Sequence, residues 1–218
     1  MQDNRSETGK SPGRGPGRTT REDWIRVALD TLISDGVDSV KVLTLADSLG
    51  CARSSFYWYF KNRADLLDSL LDRWQSTNTR ALVSSSCKPA DTVHFALVNV
   101  FNSWVGDGEF DTQLDFAIRD WARRSGSVRR ALDISDATRI DALTGMFERY
   151  DYPKSEAEVR ARILYFTQIG YDALDQQESW ETRVKRGREY LFCLTGRPPK
   201  DVELTALAGL VMQADGAA

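Results

Sequence analysis

From about residue 20 onward, apolar residues recur at helical spacing, and no stretch alternates apolar and polar positions long enough to predict a strand. The first element opens on overlapping capping patterns at Thr19, Thr20, Glu22 and Asp23. It carries Ile25, Ala28, Leu29, Leu32 and Ile33 on one stripe and stops at Gly36. After a short connection, Thr44-Leu45-Ala46-Asp47 predicts a very short second helix capped by Thr44, which presses Leu45, Ala46 and Leu49 inward before Gly50 turns the chain. A third helix then places Phe56 and Phe60 on one face. A short helix, a glycine turn and another helix form the helix-turn-helix pattern.

The rest continues as helix. Residues 63–83, with Leu66, Leu67, Leu70, Leu71 and Trp74, predict a connector to a larger body. Pro89, Gly106, Gly108 and Asp151-Tyr152-Pro153 punctuate the body, separating helices at 92–104, from Asp111 through Trp121, and at 127–150, where Gly145 is a weak point. Two helices close it, 155–177 capped by Ser155 with Glu158, and 180–195. The fold class is therefore all-α. The chain divides into an arm at 1–18, a three-helix unit at 19–65, a helical body at 66–196 and a C-terminal tail at 197–218.

Composition narrows the function classes. With 218 residues, 41% of them hydrophobic, the chain can bury a core, and no apolar run is long enough to span a membrane. The polar start Met1-Gln2-Asp3-Asn4-Arg5 lacks a signal-peptide core. Cys51, Cys87 and Cys193 are scattered, which argues against a disulfide framework or a zinc site and fits a cytoplasmic protein. No cofactor or metal is predicted. The single histidine, His94, lies in an apolar helix without ligand spacing and reads as a satisfied core residue, and Asp133 with Asp136 reads as a solvated face. An enzyme is thus the weakest of the function classes.

The segment 49–63 carries the chemistry. Arg53, Ser54 and Ser55 open it with small or long polar groups suited to base edges, while Tyr57, Trp58, Tyr59, Lys61 and Arg63 surround them with phenols, an indole and cations suited to the DNA backbone. Thr44 would present first-turn N–H groups to a phosphate. A buried aromatic helix is the plain alternative. The net charge of −3 does not oppose DNA binding, because only the docking face needs positive potential. Arg5, Lys10, Arg14 and Arg18, set among Gly, Pro and Ser, make the arm either an added phosphate contact or an inert terminus.

Between Arg21 and about Leu71 the chain resembles the TetR family of bacterial transcriptional regulators. The resemblance rests on the helix ending at Gly36, on Leu45-Ala46 and Leu49-Gly50, on Phe56-Tyr57-Trp58-Tyr59-Phe60, and on Arg63 with Asp65-Leu66-Leu67. It implies that Tyr57, Tyr59 and Arg63 bind phosphates and that Arg53, Ser54 and Ser55 lie nearest the bases. Ala52, where the family often has Ser or Thr, and the bulky Trp58 are departures.

The resemblance further implies a homodimer formed by the last two helices, here through Ile163, Phe166, Ile169, Gly170, Val184 and Leu191. Two related recognition helices would read a near-palindromic operator. It also implies a small-molecule effector held in the body, with Phe101, Trp104, Phe116, Trp121, Phe147 and Tyr165 as walls and Arg119 and Gln168 as polar handles. Arg119-Asp120-Trp121 reads equally as a brace against the DNA-binding unit. The function expected is a ligand-responsive transcriptional repressor. The alternatives are an effector-independent architectural DNA-binding protein and a helical enzyme.

Overall fold

The computed structural model describes residues 19–104, 109–174, 176 and 178–215, and every regular element among them is helical. The basic arm, Gly106 and Gly108 lie outside the described residues. The first helix, α1 (Arg21–Asp35), has the capping box predicted at its start: Thr20 accepts from the Asp23 backbone and the Asp23 carboxylate accepts from the Thr20 N–H. Gly36 closes it with φ of 78°, a left-handed conformation that favours glycine. Helix α2 (Val42–Ser48) starts earlier than predicted, behind Lys41, which makes no side-chain cap. Thr44 therefore sits inside its first turn rather than at the cap.

Gly50, with φ of 60°, turns the chain into Arg53–Trp58, a 3-10 helix rather than an α-helix, and Ala52 supplies no capping oxygen. Asn62 then caps α3 (Arg63–Trp74). A π-helical stretch, Gln75–Thr79, joins α3 to α4 (Arg80–Cys87), so the connector runs on past the predicted residue 83. The irregular stretch has a partner: buried Asn78 donates to the Asp111 carbonyl at 2.7 Å and accepts from the Asp111 N–H at 3.2 Å.

The body comprises α5 (Val93–Trp104), α6 (Thr112–Ala122), α7 (Gly126–Glu148), α8 (Lys154–Ala173), α9 (Trp180–Lys185), α10 (Gly187–Thr195) and α11 (Asp201–Asp215). Three predictions are corrected here. Helix α8 begins at Lys154 without a side-chain cap, so Ser155 lies within its first turn. The expected helix 180–195 breaks at Arg186, and a Cβ added at Gly187 would lie 2.9 Å from Leu207 Cδ2. Residues 201–215, expected in a tail, form α11 instead.

Helix α11 is held by a buried polar clasp. The Glu203 carboxylate lies 3.1 Å from His94 Nδ1 on α5 and accepts from Thr92 Oγ1 at 2.6 Å. Burial works against ionisation of Glu203, yet the hydrogen bonds from Thr92 and the Lys200 backbone hold it below the usual carboxylate range. His94 Nε2 lies 3.1 Å from both Thr195 Oγ1 and the Arg197 carbonyl, so the only histidine is a satisfied core residue.

Two apolar cores organise the chain. One joins Trp24, Leu45, Phe56, Phe60, Leu66, Leu70 and Trp74 to Leu114 and Ile118 of α6 and Val128 and Leu132 of α7. The other fills the space between α4, α5, α7, α8 and α10 around Leu97, Leu143, Met146, Phe147 and Leu164. The three-helix head is thus seated on α6 and the start of α7, and α3 as far as Trp74 packs with the head.

Candidate nucleic-acid interface and ligand cavity

The aromatic run of the head divides by face. Phe56 stacks on Phe60 with centroids 5.2 Å apart and meets Trp24 edge-on at 5.3 Å, and all three are buried. The opposite side stays open. Arg53, Ser54, Tyr57, Trp58 and Lys61 are exposed together, Trp58 to 76%, with Thr44 and Leu43 of α2 exposed as well. Arg53 Nη2 lies 3.3 Å from the Tyr57 hydroxyl, which pairs a cation with a phenol on this surface. The result is a patch of donors and two aromatic rings on a segment fixed from behind by a dry core.

Three of the residues assigned to DNA are engaged within the protein. Ser55 donates its hydroxyl to the Ala52 carbonyl at 2.8 Å, a local bond that turns the side chain back onto its own helix and leaves the missing cap of Ala52 unreplaced. Tyr59 donates to the Thr19 carbonyl at 2.7 Å and ties the start of the described chain to the head. The Arg63 guanidinium donates to the carbonyls of Val37 and Val40, bracing the turn between α1 and α2. The contacts of Tyr59 and Arg63 are long-range and the local motif does not reveal them.

The effector residues predicted in the body scatter. Phe147, Tyr165 and Trp104 are buried in the core, Trp121 packs against the head core, and Phe116 is half exposed on α6. Arg119 and Tyr165 belong to a charged network. Arg119 makes a two-pronged contact with Asp136 at 2.8 and 3.0 Å and reaches Asp115 at 2.8 Å. Fully buried Arg139 donates to Asp115 at 2.8 Å and to Thr79 Oγ1 at 3.1 Å, its guanidinium lying between the rings of Trp74 and Phe110. Tyr165 donates to Asp136 at 2.7 Å, and Trp74 Nε1 donates to Asp115. Asp136 is therefore a buried-side partner of Arg119 rather than part of a solvated face.

Electrostatics follow from this geometry. Burial works against ionisation of Asp115, but Arg139 and Arg119 overcome it and hold the carboxyl below its ordinary range. Burial alone favours neutral guanidines, yet Asp136 and Asp115 keep Arg119 charged, and Asp115 does the same for Arg139. Burial pushes the Tyr165 hydroxyl upward, so it stays a neutral donor. The network is a brace of the kind open to Arg119 from the sequence, and it ties the connector to α6, α7 and α8.

Phe101 and Gln168 alone of the eight predicted effector residues line the apolar cavity of about 270 Å³ that lies between α5, α8, α10 and α11. Its other walls include Ile163, Leu164, Tyr171, Arg183, Tyr190, Leu194, Leu207 and Leu210. Helix α11 supplies Leu207 and Leu210 to this cavity, and Leu204, Leu207 and Leu210 recur in the sequence at helical spacing within the segment expected as a tail. Of the residues assigned to a dimer, Ile163 and Phe166 are exposed on α8 in line with Val159; Ile169, Gly170 and Val184 are half-buried, and Leu191 is buried in the core instead; Phe192 of α10, outside that set, is exposed as well.

Among the described residues no group of acidic, histidine or cysteine side chains is arranged to hold a metal, and no helix is long and apolar enough to cross a membrane.

Comparison with known proteins identifies the head. Residues 25–70 match the model of bacterial regulatory proteins of the tetR family. The class A tetracycline repressor of transposon 1721 from Escherichia coli is 41% identical over 54 residues, a quarter of each chain. The regulator TtgR of Pseudomonas putida is 29% identical over 92 residues, 40% of this chain and 44% of that one. The chain thus spans less than half the length of the curated relatives it matches. Whole-chain likeness is confined to the fold. Mycobacterium smegmatis AmtR superposes with a TM-score of 0.56 at 18% identity, covering 95% of this chain and 99% of that one. Bacillus subtilis FadR, solved with stearoyl-CoA, does so with a TM-score of 0.54 at 17% identity, covering 89% and 99%.

Proposed function

We propose that this chain, whose residues 25–70 belong to the tetR family of bacterial regulatory proteins, is a homodimeric, sequence-specific repressor of transcription that a small molecule releases from its operator. The observation that carries the reading is the exposed set Arg53, Ser54, Tyr57, Trp58 and Lys61 on a segment anchored by buried Phe56 and Phe60. Such a surface offers base-edge contacts at its start and phosphate contacts around it. The protein acts on cytoplasmic DNA and performs no catalysis.

Dimerisation is supported by the exposed apolar stripe Val159, Ile163 and Phe166 on α8 with Phe192 on α10, a surface that water covers at a cost. A two-fold axis there would present two heads to a near-palindrome. Such a dimer blocks polymerase by covering promoter DNA and needs no separate activating surface. The apolar cavity supports an effector, as does the stearoyl-CoA held by FadR, a chain of the same fold. Effector binding would shift α8 and, through Tyr165, Arg139 and Asp115, the connector below the head, so that the two heads no longer fit one operator.

The test is selection of duplexes from a random pool by the purified full-length chain at fixed salt. An enriched near-palindrome is the expected result. Uniform retention of all duplexes would instead assign an architectural DNA-binding role, and no retention would remove DNA from the account.

A further inference from the structure

We propose that residues 9–18 read the minor groove of A·T-rich DNA beside each half-site, with Arg14 at the base edges; this rests on the DNA-binding reading and adds a flanking element to the operator. The run Gly9-Lys10-Ser11-Pro12-Gly13-Arg14-Gly15-Pro16-Gly17-Arg18 spaces its three cations at intervals of four and fills the gaps with Gly, Pro and Ser alone. It contains no acid to neutralise its charge and no apolar side chain larger than proline to carry into a core. The acids that follow it, Glu22 and Asp23, are already engaged, by Arg73 and by the Thr20 cap.

The described head fixes where this run meets DNA. Tyr59 donates to the Thr19 carbonyl at 2.7 Å, and Thr19, Ser55, Trp58 and Tyr59 line one groove. Trp58 belongs with Arg53, Ser54 and Tyr57 to the exposed surface assigned to the major groove, so the chain joins the head at the edge of that surface. An extended segment the length of residues 9–18 reaches at most about 35 Å, roughly one turn of duplex, which brings the flanking minor groove within range. That groove is only about 6 Å wide. Gly13 and Gly15 carry no Cβ on either side of Arg14, leaving a chain thin enough to approach its floor. Cations that met phosphates alone would need no such thinness. A·T pairs present only acceptors in the minor groove, whereas G·C adds the guanine amino donor. A guanidinium is a donor only, so it matches the A·T edge and is opposed by the amino group. The narrow groove of A-tracts also concentrates the negative potential that draws arginine in.

Duplex selection carried out in parallel with the full-length chain and with a chain lacking residues 1–17 tests this. The full chain should enrich A·T pairs outside the near-palindrome, and the shortened chain should enrich the same palindrome without them. In anisotropy titrations on a fixed palindrome, A·T flanks should bind about fivefold or more tightly than G·C flanks. Inosine–cytosine flanks, which lack the guanine amino group but keep the G·C major-groove edge, should bind like A·T. Arg14→Ala should bring A·T and G·C flanks within about twofold of each other while leaving urea unfolding unchanged. Removal of residues 1–17 should lower the salt dependence by about two counterions per chain, one each for Lys10 and Arg14. A salt dependence that falls with no flank preference would reduce the run to phosphate contact and overturn the proposal. Inosine–cytosine flanks that bind like G·C, an Arg14→Ala variant that keeps the preference, or a shortened chain that binds more tightly would overturn it too. A selected palindrome without flank preference would end this proposal and leave the DNA-binding reading standing, whereas no duplex selected by either chain would end that reading itself.

Discussion

Trp74 Nε1, at the end of α3, donates to the Asp115 carboxylate of α6 at 2.8 Å, and Arg139 of α7 donates to the same carboxylate oxygen at 2.8 Å. The last helix of the head is therefore fastened to the body by a buried charge rather than by apolar contact alone. Asp115→Asn would leave Arg139 buried without its nearest counter-charge, and breaking such a pair costs about 3–5 kcal/mol. Trp74→Phe removes one hydrogen bond to a charged group and should cost about 1.5–3 kcal/mol. Urea unfolding of both variants and the double variant checks this. The shared acceptor predicts that the two losses do not add.

The pH dependence of stability should carry two opposite contributions. Burial raises the Asp172 carboxyl to about 6, opposed by the hydrogen bond from Gln168. Its folded state holds the proton more tightly than the unfolded state, so this contribution to stability falls as pH rises from about 4 to about 6. After allowance for its partial contact with solvent the swing is about 1 kcal/mol. Asp172→Asn should flatten the profile in that window and be more stable than the parent at pH 8. Asp115 acts in the other sense: its depressed folded value gives stability present above about pH 4 that is lost as pH falls further. Thermal unfolding from pH 3 to pH 8 separates them.

Residues of the head should sort into surface and brace. Arg53→Ala should weaken operator binding and lower its salt dependence by about one counterion while leaving unfolding unchanged. Tyr59→Phe should lose about 1 kcal/mol of stability through its bond to the Thr19 carbonyl. Arg63→Met should cost more, because the carbonyls of Val37 and Val40 lose a charged donor. Parallel anisotropy titrations and urea unfolding distinguish the two groups.

Phe166→Glu sets a charge into the exposed stripe of α8 without opening the core. It should leave the chain folded but monomeric by sedimentation, and lower operator affinity by two orders of magnitude or more as the second head is lost.

Local signals made much of the fold legible. Thr20 with Asp23, Gly36 and the Phe56/Phe60 spacing marked the head, and Asp111 correctly opened α6. What the sequence hid depends on partners distant along the chain. The π-helical stretch is secured by Asn78 reaching Asp111, and the docking of α11 by Glu203 meeting His94. Aromatic spacing likewise does not tell core from cavity: Phe147 and Tyr165 face the packed interior, whereas Phe101 alone of the predicted aromatic walls reaches the cavity. In the head, the exposed side of the recognition segment was legible because its buried side was. The internal duties of Tyr59 and Arg63 were not, because their acceptors lie 40 residues and more than 20 residues away, respectively.

Sedimentation of the full-length chain on its selected duplex, compared with the same duplex carrying one scrambled half-site, tests the central claim most directly. A dimer whose two heads share one site predicts two chains on the intact duplex and a loss of affinity of at least a hundredfold when one half-site is scrambled. One chain bound with equal affinity to both duplexes would contradict it.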